Sequence, residues 1–275
     1  MQVYTTEYDF GLLLDVLQKA GSPQYQAIPA ISLYYHGYFA LTNPNDETHF
    51  HQFKKQLFDF GHQFPKNELR DLYLLATNYC TKRFNDGATH FAKESLDFYK
   101  QALPQEILLI DGYLSSYTFT NIVATALLVE DYSFTENFLE RYKKSLAPKN
   151  QKPIYSFNRA RYEYQRGNFD KALDLLQQRL YKDLLLNLSA KTVMAKIFYE
   201  MGAEDLLLSH LDAMNQFIRR KKVIAYHQEN FQNFISSLRK IIEIPDFEKA
   251  QRQKLKANLE SAKAVAERRW LLEQI

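Results

Sequence analysis

YSFNRARYEYQRGNFDKALDLLQQRL, Tyr155 to Leu180, is the stretch on which the reading of the fold turns. Gly167 can take the left-handed conformation that ends a helix, and Asn168 can satisfy free amides at the start of the next one. Behind that turn Phe169, Ala172, Leu173, Leu176 and Leu180 fall at i, i+3, i+4, i+7 and i+11, a single apolar stripe on a helix. Ala172 is small enough to let two helices approach closely. The segment therefore predicts a helical hairpin.

A second copy lies downstream. In AKTVMAKIFYEMGAEDLLLSHLDAM, Gly202 stands where Gly167 stood, 35 residues on, with Ala195 matching Ala160 and Tyr199 matching Tyr164. A fixed period in this range marks stacked helix pairs, none of which can bury its apolar face alone. The RGNFDKAL core resembles the tetratricopeptide repeat, with Gly167, Asn168, Phe169 and Ala172 at matching positions. Counted back from Gly167, the apolar positions of the first helix fall on Arg159 and Glu163. One extra residue in the turn moves them to Tyr155 and Tyr162, the register preferred here. The downstream copy departs further, with Leu207 in place of the small residue.

The resemblance implies an all-α, right-handed solenoid of about six antiparallel helix pairs, and one continuous stack over residues 1–275. Residues 1–112 would supply irregular N-terminal pairs, 113–222 the repeat-like core and 223–275 C-terminal capping helices. NYCTKRFNDG and YEMGAEDLLLSHLDAMNQFIRR look like segments of uncharacterised bacterial helical-repeat proteins, which bring no known activity.

Composition agrees with a globular chain: 46% hydrophobic and 24% charged, with 19 Tyr and 20 Phe to fill gaps between helices. No apolar run reaches the roughly 18 to 20 residues of a membrane span. MQVYTTEYDF has neither the basic nor the apolar region of a secretion signal. The single cysteine, Cys80, forms no internal disulfide framework. These features lead us to expect a cytoplasmic protein with no membrane partner.

Helices are expected over about 4–20 (Leu13, Leu14 and Leu17 inward), 25–42, 46–64, 67–85, 88–103, 113–130 and 133–147, with 104–112 as a connection. Pro148 and Pro153 should bracket a loop before the hairpin. Helix 223–243 should follow the second copy, and 246–275 is read as the outer, capping face of the stack. Cys80 lies on an apolar stripe with Leu69, Leu72, Tyr73 and Ala76, so a core thiol is expected there.

Signatures of catalysis are missing: no Gly-rich phosphate loop, HExxH, zinc-type Cys pair or Gly-x-Ser-x-Gly. We therefore expect no catalytic residue, no cofactor and no enzyme. His49 and His51 are two apart and point to different sides of a helix, and His36, His62, His90, His210 and His227 are singletons, so no metal site is expected.

Charge is asymmetric. Residues 219–275 hold 13 Lys/Arg against 7 Asp/Glu, whereas residues 1–218 hold 22 against 25. Arg219, Arg220, Lys221 and Lys222 form the densest basic patch. It can favour a helix C-terminus through the dipole, or attract the phosphates of nucleic acid. In tetratricopeptide-like arrays the first helices line a concave groove for a peptide or partner helix. The resemblance places Tyr164 and Tyr199 there in both registers, and Arg161 and Lys196 in one. The expected function is thus a protein-interaction scaffold or adaptor, and the alternative is a nucleic-acid-associated or regulatory protein using its basic end.

Overall fold

A computed structural model describes residues 16, 18–177, 181–221 and 225–275. The helix read over 4–20 lies almost wholly outside the described residues, and so do Leu180 and Lys222. The described chain is all-α and carries only two isolated β-bridges, Ile110–Tyr113 and Leu114–Leu146. It forms two compact units, residues 1–147 and 148–275.

In the first unit a single helical turn, Pro23–Gln26, precedes α1 (Pro29–Thr42), α2 (Glu47–Phe60), α3 (Lys66–Asn85), α4 (Phe91–Ala102), α5 (Ser116–Leu128) and α6 (Tyr132–Tyr142). The helix read over 25–42 is thus broken, and its main part begins at Pro29, where a missing amide costs little. Asp46 starts α2 by accepting from the Thr48 amide at 3.0 Å. Gly37 permits the close crossing of α1 and α2, because a Cβ there would meet the Phe53 ring at 3.1 Å. Aromatic rings fill the wider gaps: Phe50 stacks on Tyr79 at 5.0 Å and meets Phe91 and Phe98 edge-on. Cys80 is fully buried in the same unit.

The second unit contains α7 (Pro148–Gln165), α8 (Phe169–Gln177), α9 (Leu184–Glu200), α10 (Glu204–Arg220), α11 (Ala225–Glu243), α12 (Lys249–Ser261) and α13 (Arg268–Glu273). Here the expected loop between Pro148 and Pro153 is corrected to helix. Pro148 opens α7, and Pro153 sits inside it. Proline at that position removes one amide near the helix start, opposite the carbonyl of the exposed Lys149, where water can substitute.

The turn read at Gly167 is real and recurs. The Gly167 amide donates to Tyr164 O at 2.9 Å and the Asn168 amide to Glu163 O at 2.9 Å, the paired bonds that satisfy the last carbonyls of a helix. Gly202 and Ala203 repeat both bonds onto Tyr199 and Phe198, and Gly87 and Ala88 repeat them onto Phe84 and Arg83. Glu130 and Asp131 do the same onto Leu127 and Ala126, with Glu130 at φ 58° in place of a glycine. Four hairpins, α3–α4, α5–α6, α7–α8 and α9–α10, therefore share the turn that ends the first helix, and the last three also share a three-residue link to the second.

Ala160, Ala172 and Ala195 are each fully buried, which lets the helices of a pair approach closely. Asn168, expected to accept at the start of α8, instead donates its side-chain amide to Glu163 at 2.8 Å. Arg159 binds the other oxygen of that carboxylate at 2.8 Å. This pairing allows Glu163 to be buried beside Tyr162, so both registers of the first helix have one inward residue.

Candidate functional site

Arg161 and Tyr164 lie three residues apart on α7, and Lys196 and Tyr199 three apart on α9, so each pair shares a helix face. Because α7 packs against α9, the two pairs are brought to one place. The C-terminal segment joins them there. After α12 the chain runs without regular structure over residues 262–267, pinned to α11 by the Asn233 side-chain amide donating to Ala264 O at 2.7 Å and by the Ala266 amide donating to Asn230 O at 3.1 Å. Glu267 then takes a left-handed φ of 53° and starts α13, which carries Trp270 inward.

Lys196 is the hub. Its ammonium binds the Glu267 carboxylate at 2.8 Å and lies 4.9 Å from the Tyr164 ring centre and 5.2 Å from that of Trp270. Two ring faces and one carboxylate compensate a cation whose side chain is only 8% exposed. Glu200 ties the rings together: its Oε1 accepts from the Trp270 indole at 3.0 Å and from the Tyr164 hydroxyl. Tyr199 meets Trp270 edge-on at 5.4 Å.

These contacts set the electrostatics. Burial, reinforced by the bond to Glu200, pushes the Tyr164 phenol well above its ordinary pKa, and burial also raises Tyr199. Burial pushes the Glu267 carboxyl upward, but Lys196 and Arg161 together outweigh it and hold the pKa below the usual value. Arg161 is disfavoured as a cation by burial, an effect that Glu267 partly offsets. Its guanidinium lies 5.7 Å from the Phe157 ring and makes no hydrogen bond or ion pair among the described residues.

All four expected groove residues thus converge, but not on an open face. Tyr164 and Lys196 are buried and Tyr199 is half-buried, because the chain's own Glu267 and Trp270 lie against them. In the segment read as the outer cap, Trp270, Leu271, Leu255 and Leu259 join the core of this unit. The sequence reading missed Glu200, Glu267 and Trp270. The one tryptophan of the chain, in an otherwise charged tail, was the available signal.

Arg219, Arg220 and Lys221 are exposed at the end of α10, where Arg220 donates to Gln216 at 3.2 Å. Arg220 and Lys221 line a cleft of about 450 Å³ with Lys191, Ala213, Gln216 and Phe217. In the first unit, α1 and α2 bring His36, read as a singleton, into contact with His49, which was read only beside His51: His36 and His49 share an Nδ1–Nδ1 hydrogen bond of 2.9 Å, and Phe39 stacks on His49 at 5.0 Å. Among the described residues no group of three or more His, Cys, Asp or Glu side chains is placed to hold a metal ion, and no helix is long and apolar enough to cross a membrane.

Comparison with protein-family models, with curated proteins and with solved structures finds no match to this chain.

Proposed function

We propose that this protein is a non-enzymatic interaction module, a scaffold or adaptor whose helix pairs stack within each unit in the right-handed sense of tetratricopeptide-like solenoids. The recurring turn at Gly87, Glu130, Gly167 and Gly202 supports that stacking, since one helix-ending turn repeated at similar intervals favours similar orientations of successive pairs. The partner is a protein or peptide that offers an acidic group to Arg161. One observation carries this reading: of the two cations at the α7–α9 site, Lys196 is matched by Glu267, while Arg161 has no direct counter-ion. A half-buried guanidinium left in this state gains from a carboxylate brought by a partner.

Tyr164 and Tyr199 act here as the packed wall behind Arg161 rather than as open contact residues. Placing a photo-crosslinking side chain at position 161, and at exposed Lys254 as a control, tests the reading in cells. A protein crosslinked from 161 and not from 254 should, once purified, bind the unlabelled chain and lose about tenfold or more in affinity to Arg161→Gln. Equal binding by the variant would remove Arg161 from the interface and with it this assignment.

A further inference from the structure

The cleft between α9 and α10 has a composition that helix geometry does not explain. Cations at the end of a helix are ordinary, because they face its negative dipole end, and this accounts for Arg220 and Lys221. Lys191 is different. It lies near the middle of α9, remote from either end, and yet it faces the same cleft. Its ammonium sits 5.7 Å from the centre of the Phe217 ring, and its backbone carbonyl contacts His210 Nε2 at 2.8 Å.

None of Lys191, Arg220 and Lys221 forms an ion pair among the described residues. Asp212, on the same helix as Arg220, is engaged by Arg239 at 2.7 Å. The cleft therefore gathers three cations around one aromatic ring and one amide, Gln216, with no carboxylate in its lining. Its volume lies in the range of pockets that take a small ligand.

We propose that this cleft binds a nucleotide unit, its phosphate held by Lys191, Arg220 and Lys221 and its base laid against Phe217. Phosphate needs clustered, unneutralised cations, and a base needs a sequence-tolerant ring face; single-strand binding combines the two. The Gln216 amide, now accepting from Arg220, is placed to meet a base edge once Arg220 turns to phosphate. Lys191, now over the ring, would move to the phosphate as the base takes its place. The same chemistry suits a free nucleotide and one residue of a single strand, since the cleft is open at the surface.

Fluorescence anisotropy of the full chain at low salt, with a labelled eight-residue oligothymidylate and separately with a fluorescent ATP analogue, distinguishes these sources. We expect saturable binding of at least one probe. Lys191→Gln and Arg220→Gln should each weaken it about fivefold or more and lower the salt slope by about one. Phe217→Leu should weaken it about threefold with the slope unchanged. Exposed Lys254→Gln is the control for diffuse charge, and thermal melts followed by circular dichroism confirm that each variant is folded. Binding of the strand alone assigns the site to nucleic acid, and binding of the ATP analogue alone assigns it to a free nucleotide. Failure of both probes to bind would overturn the proposal, as would equal losses from Lys254→Gln and Lys191→Gln or unchanged affinity in Phe217→Leu.

Discussion

Lys196 and Glu267 stand 71 residues apart in sequence and 2.8 Å apart in space, so that one ion pair fastens the C-terminal segment to the inner face of α9. The pair is asymmetric: the lysine side chain is 8% exposed and the glutamate 42%. Removing the glutamate strands a buried cation, which is the costly direction. Glu267→Gln should destabilise the chain by roughly 1–2 kcal/mol in urea titrations, less than for a fully buried pair because water reaches the carboxylate. The sign of the pH effect follows from the lowered pKa of Glu267. Its stabilisation is present above the ordinary carboxyl value and is lost as pH falls below it. The difference between wild type and Glu267→Gln should therefore shrink below about pH 4.5.

The shared turn makes a reciprocal prediction. Gly167 and Gly202 have φ values of 73° and 67°, and a Cβ at either would meet nothing within 4 Å. Gly167→Ala and Gly202→Ala should each cost about 1–2 kcal/mol through the backbone alone. Glu130 occupies the same turn position at φ 58° with an exposed side chain, so Glu130→Gly should stabilise by about 0.5–1 kcal/mol, despite the extra freedom of glycine in the unfolded chain. Urea midpoints of the three variants check both signs.

Those turns also show what the sequence makes legible. Gly167 and Gly202 announce their conformation because glycine is the usual solution, and their 35-residue spacing follows directly. Glu130 announces nothing, since a left-handed glutamate looks like any other glutamate until Leu127 O and Ala126 O are seen to accept its turn's amides. Pro153 misleads in the opposite way: its interior position in α7 costs one hydrogen bond, a local penalty that packing of Ile154 and Phe157 outweighs. The face shared by Tyr164 and Tyr199 was legible from local period, but its cover was not. Trp270 reaches Glu200 across 70 residues, and no helical period encodes a contact of that range.

His36 gives a second pH dependence, in the first unit. Burial, then the neighbouring His49, lowers its pKa, so the folded chain prefers it neutral. Its contribution to stability is fully present above the ordinary imidazole value and declines as pH drops below about 6.5. His210, lowered chiefly by burial, acts in the same direction in the second unit. His36→Gln keeps a polar side chain but cannot titrate. Its stability between pH 7 and pH 5 should fall less steeply than that of wild type, and His36→Gln with His210→Gln less steeply still. Denaturant midpoints at four or five pH values measure the slopes.

Cys80 tests whether the aromatic core of the first unit is closed. Burial, aided by Glu94 and opposed by Lys54, pushes its thiol far above the ordinary value, and no part of the residue reaches solvent. The native chain should therefore react with a water-soluble disulfide reagent only through opening, and full reactivity should appear at the same urea concentration as loss of helicity. Packing rather than chemistry then sets the tolerance of the site. Cys80→Ala, which removes one sulfur from a dense contact, should cost about 1 kcal/mol. Cys80→Ser is nearly the same size, yet it brings a hydroxyl into a fully buried site and should cost more, about 1–3 kcal/mol. If serine were the better tolerated of the two, Cys80 would have to face water or a polar partner, contrary to its complete burial on the apolar stripe of α3 that also carries Leu72, Tyr73 and Ala76.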